Sequence, residues 1–175
     1  MRKIIGVMGS GKDEWAEWAE PLGAELARRG YHLLTGGGGG VMTSVSRSFK
    51  NAATGDCGLV ISVVPTDYMD DGQYAVKGGY PNSFTDLTIV SPLGTFTGES
   101  ESQISRNHIN ILTSHVVVAL PGAKGTRNEV AIALAMRKPV ILFGPISAFS
   151  EFPLDCERAD DIHVLLRFIE AHAQN

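Results

Sequence analysis

The stretch His32-Leu33-Leu34-Thr35-Gly36-Gly37-Gly38-Gly39-Gly40-Val41-Met42 runs from an apolar, strand-like segment through five consecutive glycines into a helix-like one. Glycine gives up more backbone freedom on folding than any other residue, about 0.5–1 kcal/mol against alanine inside a regular element. Five in a row therefore need a reason. Where a strand passes through a glycine turn into a helix, backbone N–H groups and the helix dipole together form an anion site that needs no cationic side chain. A slack linker would not be followed at once by a helix. The run Gly36–Gly40, with Met42 in the first helical turn, is therefore expected to hold a phosphate.

Outward from this stretch, apolar or β-branched runs alternate with helical patterns. Strands are predicted at 3–8, 31–35, 59–64, 86–90, 115–120 and 139–143. Helices are predicted at 21–29, 41–53, 102–112, 127–136 and 160–173, with Pro21 starting or kinking the first and Gly30 stopping it. Pro65 is expected to end the third strand, and residues 65–84, rich in Asp, Gly, Tyr and Pro, form a long loop of the functional or mobile kind. This alternation implies an α/β, Rossmann-like, doubly wound fold: a mainly parallel sheet between two helical layers, in one domain over residues 1–175. Ligands of such sheets bind beyond the carboxyl ends of the strands. Three loops share that edge: Gly9-Ser10-Gly11-Lys12, the five glycines, and Pro121-Gly122-Ala123-Lys124-Gly125-Thr126.

Composition narrows the partners. The 175 residues are 43% hydrophobic and 19% charged with a formal net charge of -4, so there is no electrostatic footprint for nucleic acid. No apolar run approaches the roughly 20 residues of a membrane helix, and the N-terminus is too short in apolar residues for a signal peptide, so a cytoplasmic protein is expected. Cys57 and Cys156 lack metal or redox spacing, and His108 and His115 have no third ligand nearby, so no metal site is expected.

Each loop also admits a plainer account. Gly6 to Lys12 fits G-x-x-x-x-G-K, but Asp13 stands where a P-loop needs Ser or Thr, and Glu14 replaces the third glycine of the dinucleotide fingerprint. Gly9 and Ser10 still belong at the ligand edge. Thr126 and Glu129 have the T-x-x-E spacing of a helix capping box, which would leave Gly122 and Gly125 merely shaping a turn. Arg106, alone on its helix, reads from spacing as a solvated charge.

Pro121-Gly122-Ala123-Lys124-Gly125-Thr126-Arg127-Asn128-Glu129 resembles the P-G-G-x-G-T-x-x-E signature of the Lonely Guy (LOG) family, long labelled lysine decarboxylases. The segment from Leu22 to Met42 is similar to the glycine-rich first half of that family, and the resemblance extends over about residues 3–143. It implies a Rossmann-like homodimer or homotetramer that binds a small phosphate-bearing nucleotide-like ligand. The family's enzymes hydrolyse the N-glycosidic bond of nucleoside 5′-monophosphates without a required cofactor, and the positions matching their catalytic pair are Arg106 and Glu129. Gly125 and Thr126 would close the phosphate site. Two departures stand out: Ala123 replaces a signature glycine, and the five-glycine segment is one residue short. The run Arg106-Asn107-His108-Ile109-Asn110 is more similar to the molybdenum-cofactor-carrier branch, which implies binding of a phosphate-bearing pterin rather than turnover. No lysine has the surroundings of a pyridoxal Schiff base. A nucleotide- or pterin-binding protein is thus the first expectation, a phosphoribohydrolase the second and a ligand-sensing interaction module the third. Tyr68, Tyr74 and Tyr80 of the long loop are left open between stacking on a ring and packing.

Overall fold

The computed structural model describes residues 1–94 and 104–173. In chain order the elements are β1 (Ile4–Met8), α1 (Ala16–Arg28), β2 (His32–Thr35), α2 (Val41–Ala52), β3 (Val60–Tyr68), β4 (Tyr74–Val76), β5 (Leu87–Ser91), α3 (Arg106–Thr113), β6 (Val116–Ala119), α4 (Lys124–Ala135), β7 (Val140–Phe143), β8 (Glu157–Ala159) and α5 (Ile162–Ala173). Seven strands pair in parallel in the order β5-β3-β2-β1-β6-β7-β8, and β4 adds antiparallel to the far end of β3. From β1 the chain builds one half of the sheet outward, then returns to build the other half from β6. Strand order reverses between β1 and β6, where a doubly wound fold opens its ligand crevice.

The two layers follow from strand periodicity. Alternate side chains point to opposite faces, so Ile5, Val7, Leu33, Val116 and Val118 pack beneath α1, α2 and α5. Met8, Leu34, Val63, Val117 and Ala119 pack beneath α3 and α4. Helix α1 lies very close to α2, because a Cβ at Gly23 would overlap the Val45 carbonyl oxygen. Two histidines brace the opposite, amino-terminal edge of the sheet. The Nδ1 atoms of His115 and His32 accept hydrogen bonds from the Ile4 and Leu59 amides at 3.1 and 2.9 Å, which needs unprotonated rings. Burial holds both below the usual imidazole range.

Several boundaries differ from the sequence expectation. Helix α1 starts five residues before Pro21, which sits exposed inside it. The apolar stripe wins over the missing amide: Ala19 is buried, and Trp18 packs edge-on against Phe143 at 5.2 Å. Strand β3 runs through Pro65, whose carbonyl accepts from Lys77 at 3.1 Å, and continues into a hairpin with β4. Much of the expected loop is therefore ordered backbone pairing. Its turn carries Asp71-Gly72, with Gly72 at φ 81°, the residue pair that favours such hairpins. The predicted start of α3 at Ser102 lies outside the described residues.

The glycine run owes its composition to packing. Gly40 has φ 59° and ψ −131°, and a Cβ there would overlap the Ser10 carbonyl oxygen. Gly55 also has positive φ, 57°, but its Cβ would meet nothing within 4 Å. The pair separates backbone strain from steric overlap. Gly55→Ala should lower the unfolding free energy by about 1 kcal/mol, whereas Gly40→Ala should cost about 3 kcal/mol or more because overlap adds to strain. Urea unfolding of the two variants checks this, and equal losses would contradict it.

Candidate functional site

The three loops expected at the carboxyl edge meet there around a cavity of about 650 Å³. Its first wall is the turn after β1, Gly9 to Asp13. There the Ser10 hydroxyl accepts from the Lys12 and Asp13 amides at 3.2 and 3.0 Å and donates to the Asp13 carboxylate at 3.0 Å. The second wall is Pro121–Ala123 with Gly125 and Thr126, at the start of α4. Gly36 and Met42 contribute from the glycine segment, Tyr80 from the loop after β4, and Arg106 and Glu129 from α3 and α4.

The expected site residues Gly9, Ser10, Gly36, Met42, Arg106, Gly122, Gly125, Thr126 and Glu129 thus come together. Gly37, Gly38, Gly39 and Gly40 do not line the cavity. The Gly37 amide donates to Thr35 Oγ1 at 3.1 Å, and the Gly38 amide to the Met42 sulfur at 3.4 Å. A Cβ at Gly37 would press on Ser62, one at Gly38 on Met42 and Tyr80, and one at Gly39 on the Gly11 carbonyl. Four of the five glycines therefore let the chain pack against its neighbours. Gly36 alone reaches the cavity.

The capping-box reading of Thr126 and Glu129 is overturned. Helix α4 begins at Lys124 with Ala123 as its N-cap, so both residues lie inside the helix, where they are buried. Thr126 packs beneath Gly122, whose Cβ would overlap the Thr126 hydroxyl. Ala123 has φ −97°, a conformation open to any residue, so replacing the signature glycine there costs no backbone strain. Another helix carries the reach-back contact instead: His108 Nδ1 accepts from the Ser105 amide at 3.3 Å at the start of α3.

Arg106 is not solvated either. It is 8% exposed, and its Nη1 donates to the carbonyls of Gly36 at 3.0 Å and Val63 at 2.8 Å. Its guanidinium carbon stands 5.5 Å from the centre of the Tyr80 ring. One side chain thus ties α3 to the turn after β2 and to the middle of β3, while its Nε remains buried without a partner. Glu129 forms no ion pair with it or with any other described residue at salt-bridge distance. Burial pushes the Glu129 carboxyl up to about 7, against the pull of the Arg106 charge and of the neighbouring Asn110 amide. Fully buried Asn110 closes no hydrogen bond of good geometry through either Nδ2 or Oδ1. Asn107 is held by Asn128 at 3.0 Å.

Sequence reasoning missed Trp15 and left Tyr80 without a role, yet both line the cavity. Trp15 has φ 45°, the left-handed region, which no sequence pattern announces. Tyr68 and Tyr74 instead stack edge-on on the exposed hairpin. Neither cysteine nor histidine occurs among the lining residues, and no group of possible metal ligands exists among the described residues. No described helix is long and apolar enough to cross a membrane.

A doubly wound sheet with an open crevice at its switch point, walled by glycine turns, places the chain in the Rossmann-like class with a candidate ligand site at the switch point. The SLOG cluster4 family model matches residues 2–165, and the chain belongs to that family. This agrees with the LOG-type resemblance. A molybdenum cofactor binding protein from the phototrophic bacterium Rippkaea orientalis is 31% identical, with 98% of this chain and 97% of that one covered and a TM-score of 0.74. The molybdenum cofactor carrier protein of Chlamydomonas reinhardtii is 30% identical over all of both chains, with a TM-score of 0.73. An uncharacterized protein of Archaeoglobus fulgidus is 29% identical over 149 residues, 80% of this chain and 83% of its own.

Glu129 gives a test of the site's electrostatics. Its folded pKa lies above the unfolded one, so burial of the acid costs nothing below about pH 4.5 and becomes a penalty as pH rises through about 7. Glu129→Gln should therefore leave stability nearly unchanged at about pH 4.5 and raise it at about pH 8 by on the order of 3 kcal/mol. Denaturant unfolding of both proteins across that range measures the difference, and a gain that does not grow with pH would contradict the assignment.

Proposed function

We propose that the chain binds a phosphate-bearing, ring-containing ligand in the switch-point cavity, with a molybdopterin-type pterin as the first candidate and a nucleotide as the second. The observation that carries this reading is the cavity itself. It has aromatic side chains on its walls, with the buried Arg106 and Glu129 among its lining residues, in a chain about 30% identical over its full length to two proteins that hold the molybdenum cofactor. The lining offers no cysteine or histidine, so these residues fit the organic part of such a cofactor, with the metal left to the ligand's own sulfur atoms. Met42, Trp15 and Tyr80 suit a planar ring.

The phosphate fits the start of α4. Gly122, Ala123, Gly125 and Thr126 bring the amino end of a twelve-residue helix to the cavity, and Lys12 stands on the opposite wall. Helix dipole, free backbone donors and one cation favour an anion there. Gly9, Ser10 and Gly36 complete the nearby surface, and Gly37–Gly40 support it from behind.

Glu129 supports a second reading. A carboxyl titrating near neutrality can pass a proton in either direction, as a nucleoside 5′-monophosphate phosphoribohydrolase requires. In that case the protein releases free base from adenosine 5′-monophosphate, and Glu129→Gln stops it; no release across a nucleotide panel excludes the reading. Self-association to a dimer or tetramer belongs to the same proposal and is read by light scattering. The sheet's edge strand β5 exposes Leu87 and Val90.

The phosphate placement has a clean variant. A Cβ at Gly125 would meet nothing within 4 Å, so Gly125→Asp places a negative charge in open space at a helix start, where acids are well tolerated. Inorganic phosphate should raise the melting temperature of the native protein and leave that of Gly125→Asp unchanged. A shift that survives the substitution would move the phosphate elsewhere.

A further inference from the structure

Glu129 faces the cavity from α4, and Asn110 lies beside it on α3, fully buried and outside the lining. Both are buried, on facing helices; neither Asn110 amide atom closes a hydrogen bond of good geometry, and Glu129, whose neighbour is that amide, has no ion-pair partner among the described residues. The nearest cation is committed, since Arg106 Nη1 is shared between two backbone carbonyls. Asn107, one turn away from Asn110, is already paired with Asn128. A buried carboxyl and amide left in this condition are costly, and the open side of Glu129 faces the cavity. A ligand that donates hydrogen bonds there recovers that cost.

An ionised carboxylate only accepts, and its two oxygens form a fork that matches two parallel donors. A single ligand hydroxyl would satisfy one oxygen and leave the other bare. An exocyclic amino group beside a ring N–H supplies both donors at once. We propose that Glu129, with Asn110 beside it, reads the amino-lactam edge of a 2-amino-4-oxo heterocycle, the edge that pterins and guanine share. This inference rests on the reading that a ring ligand occupies the cavity. It makes Glu129 a specificity-determining residue whether or not any bond is broken.

Binding of this kind has a proton signature. Two donated hydrogen bonds favour the charged carboxylate, so a carboxyl that sits near 7 in the empty cavity loses its proton when the ligand arrives. The charged groups around it are few. Arg106 reaches it from α3, Lys12 and Asp13 stand at the mouth, and on its own helix Lys124 is exposed while Arg127 is paired with Glu151. Burial brings Glu129 to about 7, so proton release near pH 7 that is lost in Glu129→Gln reports on this carboxyl.

Pterin and lumazine have the same ring system and differ at the decisive atom, where lumazine carries a carbonyl in place of the amino group. Titration of the native protein with each, followed by ligand fluorescence, should show pterin binding about 10–100-fold tighter at about pH 7.5, with the preference shrinking at about pH 5.5 as the carboxyl protonates. Calorimetry of pterin binding at about pH 7 in two buffers of different ionisation enthalpy should show release of roughly half a proton per ligand. Glu129→Gln relieves a buried charge and so should fold, and it should abolish both the preference and the proton release. Equal affinities for the two ligands, a preference that survives Glu129→Gln, or no binding of either ligand would overturn the proposal. The phosphate-dependent melting shift stands or falls separately: its loss alongside intact pterin selectivity would remove the phosphate placement and leave the edge reader supported.

Discussion

The backbone of Ser10 is the point on which the site depends. Its amide donates to the Pro121 carbonyl at 3.1 Å, and its carbonyl accepts from the Val41 amide at 2.9 Å. One residue after β1 thereby joins the loop after β6 and the start of the helix after β2. Three loops spread over more than 100 residues of the chain converge because a single peptide unit on each side is paired. The glycines surround this junction. A Cβ at Gly9 would press on Val41, one at Gly40 would overlap the Ser10 carbonyl, and one at Gly122 would stand 3.0 Å from the Ser10 amide. Without these absences the loops could not approach to hydrogen-bonding distance, and the crevice at the switch point would have no floor.

The floor itself sets two physical demands against each other. Arg106, buried on α3, holds the turn after β2 and the middle of β3 together by donating to the Gly36 and Val63 carbonyls. The same burial strips water from Glu129, and desolvation outweighs the stabilisation that the Arg106 charge provides. Had the two side chains formed a direct salt bridge, the carboxylate would be held well below neutrality and the arginine would have less to give to the backbone. Their separation leaves one residue as an architectural clamp and the other as a titratable group facing open space.

The fold was legible wherever the pattern reports burial on both faces of a strand. Runs such as Val116–Ala119 and Val140–Phe143 are apolar throughout because helices cover both sides of a parallel sheet. Errors arose where a local rule met a tertiary contact. Pro21 suggested a helix start, yet Trp18 and Ala19 had core to cover. Pro65 suggested a strand end, yet β5 pairs with β3 as far as Pro65 and Ser91 without needing the proline's missing amide. The T-x-x-E spacing suggested a cap, yet the helix begins two residues before Thr126. For the candidate site, the sequence put three loops on one edge of the sheet, and nine of the residues it named line the cavity there. It could not show that Gly37–Gly40 face their neighbours rather than the cavity, because a glycine needed for a close backbone contact and a glycine needed for a phosphate look alike.

That ambiguity bears on how glycine-rich loops are read in general. A nest for an anion requires amides that point at the ligand and are free to do so. Here the Gly37 and Gly38 amides are occupied by Thr35 and Met42, and neither residue lines the cavity, which the start of α4 does reach. The five glycines act on the ligand site at one remove: they seat α2 against Ser10, Ser10 fixes the loop after β6, and that loop aims the start of α4 at the cavity. A substitution in the run should therefore disturb binding and stability together, whereas one at Gly125, where an added Cβ meets nothing within 4 Å, can separate them.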